Sequence, residues 1–239
     1  MKTVLVTGVS KGLGLEIARS LLDDGFKVVG LGRTLSPAFR ELMDQRPDAA
    51  FFEELDISDI AAIPETARQV WNAHRPVFGL VNNAGIGLDG VLATQHQKDI
   101  ALVMNTNLIG AIVLTKYISR HMLARGEGRI VNISSIIAAT GYHGLSVYAA
   151  SKAGLEGFTR SLSRELGKYA ITVNCVAPGF METDMTGGMS EDKMVSIRRR
   201  APLGLPSPAD AATAVSYLLS PGAGKITGSV ITVDGGSTA

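Results

Sequence analysis

"TVLVTGVSKGLG", Thr3 to Gly14, is a short apolar run that ends in a glycine-rich turn and then enters a helical pattern. Val4, Leu5 and Val6 are apolar on consecutive rather than alternate positions, as in a strand buried on both faces. Gly8, Gly12 and Gly14 do not make the GxGxxG spacing of the best-known dinucleotide fingerprint, yet the physical requirement is the same. A tight turn, a close backbone approach to a pyrophosphate and free N–H groups at a helix N-terminus together bind an anion. Glycine turns between strand and helix are also common for structural reasons alone, so the position after the first strand gives this one its weight.

Working outward, six similar runs follow: "KVVGLG" (27 to 32), "AFFEELD" (50 to 56), "FGLVNN" (78 to 83), "RIVNIS" (129 to 134), "ITVNCVAP" (171 to 178) and "SVITVD" (229 to 234). Helical spacing separates them: Ile17, Leu21 and Leu22 after the first strand, Ile63, Ala67 and Val70 after the third, Leu155, Phe158 and Leu162 after the fifth. Strand and helix alternate throughout. This predicts right-handed βαβ units in one α/β domain over residues 1–239, with a parallel, doubly wound sheet and helices on both faces. One stretch breaks the pattern: residues 180–208 hold four methionines, a Gly187-Gly188 pair and three prolines. It reads as an excursion with a short helix at 190 to 200. Placed after a strand's carboxyl end, with adaptable Met side chains and a glycine hinge, it suits a lid over a ligand.

Composition narrows the function. A hydrophobic fraction of 46% over 239 residues suits a globular chain with a substantial core, and a formal net charge of +1 offers no electrostatic surface for nucleic acid. Cys175 stands alone inside an apolar run, which excludes an intramolecular disulfide and suggests an inert thiol in a reducing compartment. "MKTVLVTG" stops short of a signal-peptide core, and no stretch of about 18 apolar residues marks a membrane span. The expectation is a soluble cytoplasmic protein. His74, His96, His121 and His143 show no paired ligand spacing, so no metal is assigned.

Two features point to chemistry. Where an NAD site usually has an acidic residue after the second strand, this chain has Gly32 followed by Arg33, and Lys11 lies in the glycine turn. A guanidinium suits a ribose 2′-phosphate, so NADP(H) is preferred over NAD(H). Further on, "SVYAASKAG" (146 to 154) sets Tyr148 and Lys152 one helical turn apart, on one face.

TGxxxGxG at 7 to 14, "NNAG" at 82 to 85, Asn107, Ser135 in "NISS", YxxxK at 148 to 152 and "PG" at 178 to 179 together resemble the classical short-chain dehydrogenase/reductases. The resemblance runs in order and spacing from residue 3 to residue 236. It implies a Rossmann-type sheet in the strand order 3-2-1-4-5-6-7 and a catalytic set of Asn107, Ser135, Tyr148 and Lys152. In that set Tyr148 is the acid/base, Lys152 lowers its pKa and holds the nicotinamide ribose, and Ser135 binds the substrate carbonyl oxygen. Asn107 anchors a proton relay. Ser134 is the adjacent alternative to Ser135; the family spacing to the tyrosine selects Ser135. The implied cofactor contacts are Gly8, Ser10, Lys11, Gly12, Leu13, Gly14 and Arg33, then Asp56, Ile57, Asn83, Ala84 and Gly85 at the adenosine end. Tyr148, Lys152, Pro178, Gly179, Met181 and Thr183 complete them at the nicotinamide.

Within the family, "VAPGFMETDMT" and "ITGSVITVDGG" look most like the β-ketoacyl-(acyl carrier protein) reductases, which use NADPH. The likeness implies an acidic carrier protein as partner, met by basic residues near the active-site mouth. Arg129 falls at one such position, while the other holds Tyr169 with Lys168 one place earlier. A CoA-linked or free ketone, a sugar or a polyol are the alternative substrates, and a cofactor-binding regulator without catalysis is the alternative of another class. The family further implies a homotetramer.

Overall fold

The computed structural model describes residues 1–181 and 191–239, with residues 191–193 described by their backbone alone. Its seven strands are β1 (Thr3–Thr7), β2 (Lys27–Gly32), β3 (Ala50–Glu54), β4 (Val77–Asn82), β5 (Gly128–Ile133), β6 (Ile171–Pro178) and β7 (Val230–Val233). All neighbours pair parallel, in the order β3-β2-β1-β4-β5-β6-β7. The helices are α1 (Gly12–Asp23), α2 (Pro37–Gln45), α3 (Ile63–His74), α4 (Gln97–Met104), α5 (Gly110–Arg125), α6 (Ile137–Thr140), α7 (Ser146–Leu166), α8 (Glu191–Arg200) and α9 (Pro208–Leu219). The short helix expected at 190 to 200 is α8; most of the other half of that excursion, residues 182–190, lies outside the described residues.

Consecutive apolar residues serve the two faces of the sheet in turn. Val4, Val6, Val28, Val81, Val131 and Val176 join Ile17, Leu21 and Leu22 of α1 and Val215, Leu218 and Leu219 of α9 in one core. Leu5, Val29, Leu80, Ile130 and Val173 join Ile63 and Val70 of α3 and Leu114, Ile118 and Met122 of α5 in the other. Each such side chain, fully buried, contributes about 1.5–3 kcal/mol before ordering costs. Capping fixes where the helices begin. At α9 the Ser207 side chain accepts from the Asp210 N–H while the Asp210 carboxylate accepts from the Ser207 N–H.

Two expectations about helices need correction. In α7 the periodicity points to Leu155, Phe158 and Leu162 as the inward face, but the buried positions are Val147, Ser151, Lys152, Leu155, Thr159, Ser163 and Leu166. The helix lays small and polar residues on β5 and β6 because those strands carry polar side chains inward. Asn82 Nδ2 donates to Asn132 Oδ1 at 2.7 Å, Asn132 Nδ2 to Thr159 Oγ1 at 2.8 Å, and Thr159 Oγ1 lies 3.1 Å from Cys175 Sγ. Buried polar groups survive when tied in this way. The second correction concerns Gln97–Arg125, one continuous helical run of 29 residues whose mean hydropathy reaches 1.4 over 18 residues. By length and composition it passes for a membrane span, although α5 packs against β4 and α3.

Because the strands are parallel, all their carboxyl ends share one rim. The chain order reverses between β1 and β4, and the crevice opened there is where such sheets bind ligands.

Candidate active site

At the crevice, main chain does most of the building. Thr7, the last residue of β1, accepts hydrogen bonds at Oγ1 from the N–H groups of Asn83 (3.0 Å) and Ala84 (2.9 Å). Asn83 Nδ2 returns the link to the carbonyls of Thr7 and Gly8. The "NNAG" turn is thereby locked to the glycine turn, and Gly8, at φ 76°, leaves β1 through the left-handed region. A Cβ on Gly14 would collide with the Gly8 carbonyl oxygen, so α1 approaches the turn only because residue 14 has none. α1 has no acidic residue in its first turn and no side-chain cap at Lys11, which leaves its first N–H groups available to an anion. A cradle that a Cβ would fill, beside a helix start open to negative charge, fits a dinucleotide pyrophosphate.

The strand ends beside the cradle bring in the adenosine-side residues. Ser10 Oγ donates to the Thr34 carbonyl at 3.3 Å, which holds the glycine turn against the end of β2 where Arg33 is exposed. Leu13 packs into the core behind the turn. Burial works against the Asp56 carboxylate, but hydrogen bonds from the Ser58 hydroxyl and N–H and the nearby Arg33 charge hold its pKa below the ordinary value. Arg33 and Asp56 therefore face the same end of the crevice. Ile57 is buried, and a Cβ on Gly110 would strike its carbonyl oxygen, so glycine at the start of α5 lets that helix close on the crevice.

The polar side chains converge at the other end. Residues Asn105–Ile109 form a single π turn joining α4 to α5, and it turns Asn107 inward. Asn107 Oδ1 accepts from the Ile86 N–H at 2.8 Å, while Nδ2 donates to the Ile86 carbonyl at 2.9 Å and to Ser151 Oγ at 3.1 Å. A Cβ on Gly85 would lie 3.2 Å from Lys152 Nζ and 3.3 Å from Asn107 Oδ1, which places all three around one space. Lys152 Nζ lies 5.7 Å from the Tyr148 ring centroid and donates to the Ile133 carbonyl at 2.8 Å. Ser135 Oγ accepts from the Ile137 N–H at 3.3 Å and lies close enough to Tyr148 to favour its ionised form. Pro178 and Gly179 close the far side: the Pro178 carbonyl accepts from the Ile136 N–H, and Gly179 donates to the Val233 carbonyl. Met181 is half-buried just beyond them. Thr183 lies outside the described residues.

Burial sets the electrostatics. It holds the Lys152 pKa down at about 8. It also raises that of the Tyr148 phenol, opposed by the Ser135 hydrogen bond. The Lys152 ammonium meanwhile donates to the Ile133 carbonyl. Burial likewise pushes the Cys175 thiol up to about 12, in keeping with an inert cysteine.

Arg129 and Lys168 do not join the cluster, which corrects the expectation that they flank its mouth. Arg129 is the second residue of β5, six residues before Ser135, or about 20 Å of extended chain. Its guanidinium donates to the carbonyls of Gly128 and Ala170 and stacks 5.6 Å from the Phe78 ring. Lys168 precedes β6. Both stand where strands begin, and Ser135 and Tyr148 stand where strands end. Conversely, Ile86 and Ser151 contribute contacts that no motif position had marked. Ser151 had a weak signal, a serine inside a helix three residues after Tyr148, whose carbonyl it bonds at 2.7 Å.

Comparison with known proteins agrees with this geometry. The family model described as short chain dehydrogenase matches residues 2–194. The 3-oxoacyl-(acyl-carrier-protein) reductase of Vibrio cholerae is 38% identical over 240 residues, covering 98% of this chain and 96% of its own. That of Pseudomonas aeruginosa is 39% identical over 238 residues, with the same coverage. Among solved structures, a gluconate 5-dehydrogenase from Burkholderia cenocepacia, in complex with NADP and tartrate, superposes with a TM-score of 0.94 at 28% identity, over 99% of this chain and 95% of that one. With the sheet order, the glycine cradle and the near full-length matches in agreement, the chain belongs to the short chain dehydrogenase family.

Proposed function

We propose that this chain is an NADPH-dependent reductase that converts a 3-oxoacyl thioester, carried on acyl carrier protein, to the 3-hydroxyacyl thioester. The observation that carries the proposal is the convergence of Asn107, Lys152, Tyr148 and Ser135 around one space beside a cradle made for a pyrophosphate. Near full-length likeness to two 3-oxoacyl-(acyl-carrier-protein) reductases supports the choice of substrate. Arg33, in the place of an acidic residue, supports NADPH over NADH.

NADPH supplies the hydride for the carbonyl carbon. Everything else falls to the protein. Gly8, Gly14 and the first turn of α1 hold the pyrophosphate, Arg33 the 2′-phosphate, and Lys152 the nicotinamide ribose. Ser135 Oγ donates a hydrogen bond to the substrate carbonyl oxygen, and Tyr148 Oη gives that oxygen its proton as the C–O double bond becomes single. A phenol whose pKa burial has raised stays protonated through neutral pH, the state a proton donor needs. Lys152, near 8, changes charge in the working range and passes a proton on to Tyr148, replenished through a water that Asn107 holds. A homotetramer forms through the run Gln97–Arg125, which leaves Leu102 and Ile109 exposed, and through α7.

A sugar-acid ketone is the second reading, favoured by the close superposition on the gluconate 5-dehydrogenase. NADPH oxidation measured against carrier-linked, CoA-linked and free β-keto compounds and a 5-keto sugar acid separates the two. The proposal expects the carrier-linked thioester to have the highest kcat/KM; turnover confined to the sugar acid overturns it.

A further inference from the structure

Ser134, next to Ser135 in "NISS", has no part in the chemistry proposed above, yet it is buried at the point where β5 meets α7. Its Oγ donates to Glu156 Oε1 at 2.9 Å and lies 3.3 Å from the Lys152 carbonyl oxygen, and its N–H donates to the Val176 carbonyl at 2.8 Å. In the opposite sense, Lys152 Nζ donates to the carbonyl of Ile133. The two residues just before Ser135 are thus cross-tied to the helix that bears Tyr148 and Lys152. Glu156 is one turn beyond Lys152 on that helix, and its carboxylate is largely covered. Its other oxygen lies 3.7 Å from the Arg160 guanidinium. A carboxylate so placed is costly unless it is hydrogen-bonded and paired, and the Ser134 hydroxyl and Arg160 supply both.

We propose that Glu156 is a positioning residue: through Ser134 it holds the turn of α7 carrying Lys152 and Tyr148 in register with the end of β5 carrying Ser135. It touches neither substrate nor cofactor. The proposal rests on the reductase reading for its kinetic consequence, but Lys152 also reports its position through cofactor affinity. Misplacing a reacting group by about 1 Å can cost about 100-fold in rate, so loss of one tie among several is expected to cost about tenfold.

The test compares Ser134→Ala, Glu156→Ala, the double variant and Glu156→Gln, each checked for folding by thermal melting. The readouts are NADPH affinity, from nucleotide fluorescence, and kcat with acetoacetyl thioester. Ser134→Ala and Glu156→Ala should each lower kcat about tenfold and weaken NADPH binding about threefold. The double variant should be no worse than the worse single one, and Glu156→Gln, which still accepts the Ser134 hydrogen bond, should recover both readouts. If Glu156→Ala does not fold, Ser134→Ala carries the test. Single variants equal to wild type, losses that multiply in the double variant, or a Gln variant as impaired as Ala would each overturn the proposal. Wild type inactive on every ketone, with the binding pattern intact, would sink the reductase reading and leave the positioning role standing. An active wild type with unaffected variants would do the reverse.

Discussion

At the ends of β1 and β4 the site is made of main chain and of side chains that are missing: Gly8 and Gly14 leave room, and Thr7 and Asn83 tie one turn to another. At the end of β5 and the start of α7 it is made of side chains that are present: Asn107 bonded to Ser151, Lys152 to the Ile133 carbonyl, and Ser135 beside Tyr148. The first kind of site tolerates no added atom but asks little of side-chain chemistry. The second tolerates changes of size better than changes of function. Binding and chemistry should therefore come apart when each half is altered by itself.

Within the cradle, the largest effect is expected from Gly14→Ala. Its Cβ must displace the Gly8 carbonyl, a misfit of about 1–3 kcal/mol, or about 5- to 150-fold in NADPH affinity. At saturating NADPH, kcat should stay close to wild type, and steady-state kinetics over a range of cofactor concentrations checks this. A fall in kcat alone would erase the contrast between the halves. A smaller effect, still confined to the cradle, is expected of Arg33→Asp. Loss of charge-assisted hydrogen bonds should cut kcat/KM for NADPH about tenfold and shift preference toward NADH; an unchanged cofactor ratio would remove Arg33 from its role. The smallest effect belongs to the other half and to pH. With Lys152 titrating at about 8, ketone reduction should lose about half its kcat at that pH and decline further above it, as the ammonium gives up its proton. The sign for stability is opposite. The folded pKa lies below the ordinary lysine value, so the unfolded chain binds more protons in between, and the folded state gains stability as pH rises from about 8 to 10.5. A rate profile flat through that window would show that Lys152 does not carry the proton.

This contrast also explains what the sequence could reveal. The five inner strands were legible because a strand covered on both faces is apolar at consecutive positions, whereas the edge strands β3 and β7, only partly buried, show it less fully. The cradle was legible too, since a missing Cβ is written directly as glycine. The inward face of α7 was not: its buried stripe is Ser151, Thr159 and Ser163, which hydrophobic periodicity passes over in favour of the half-buried Phe158 and Leu162. Nor does any local pattern announce the π turn that presents Asn107, whose partners Ile86 and Ser151 lie 21 and 44 residues away. The misplacement of Arg129 and Lys168 was avoidable. Arg129 stands at the start of β5 and Lys168 just ahead of β6, and in a parallel sheet those places lie on the rim opposite Ser135 and Tyr148.

The most direct test of the division between binding and chemistry is Tyr148→Phe, with NADPH affinity and turnover of a short β-ketoacyl thioester measured on the same preparation. Removing the hydroxyl leaves the ring in place and takes away the proton donor, so kcat should fall by about 100-fold or more while the NADPH dissociation constant stays within about twofold. Near-normal turnover in that variant would contradict the account.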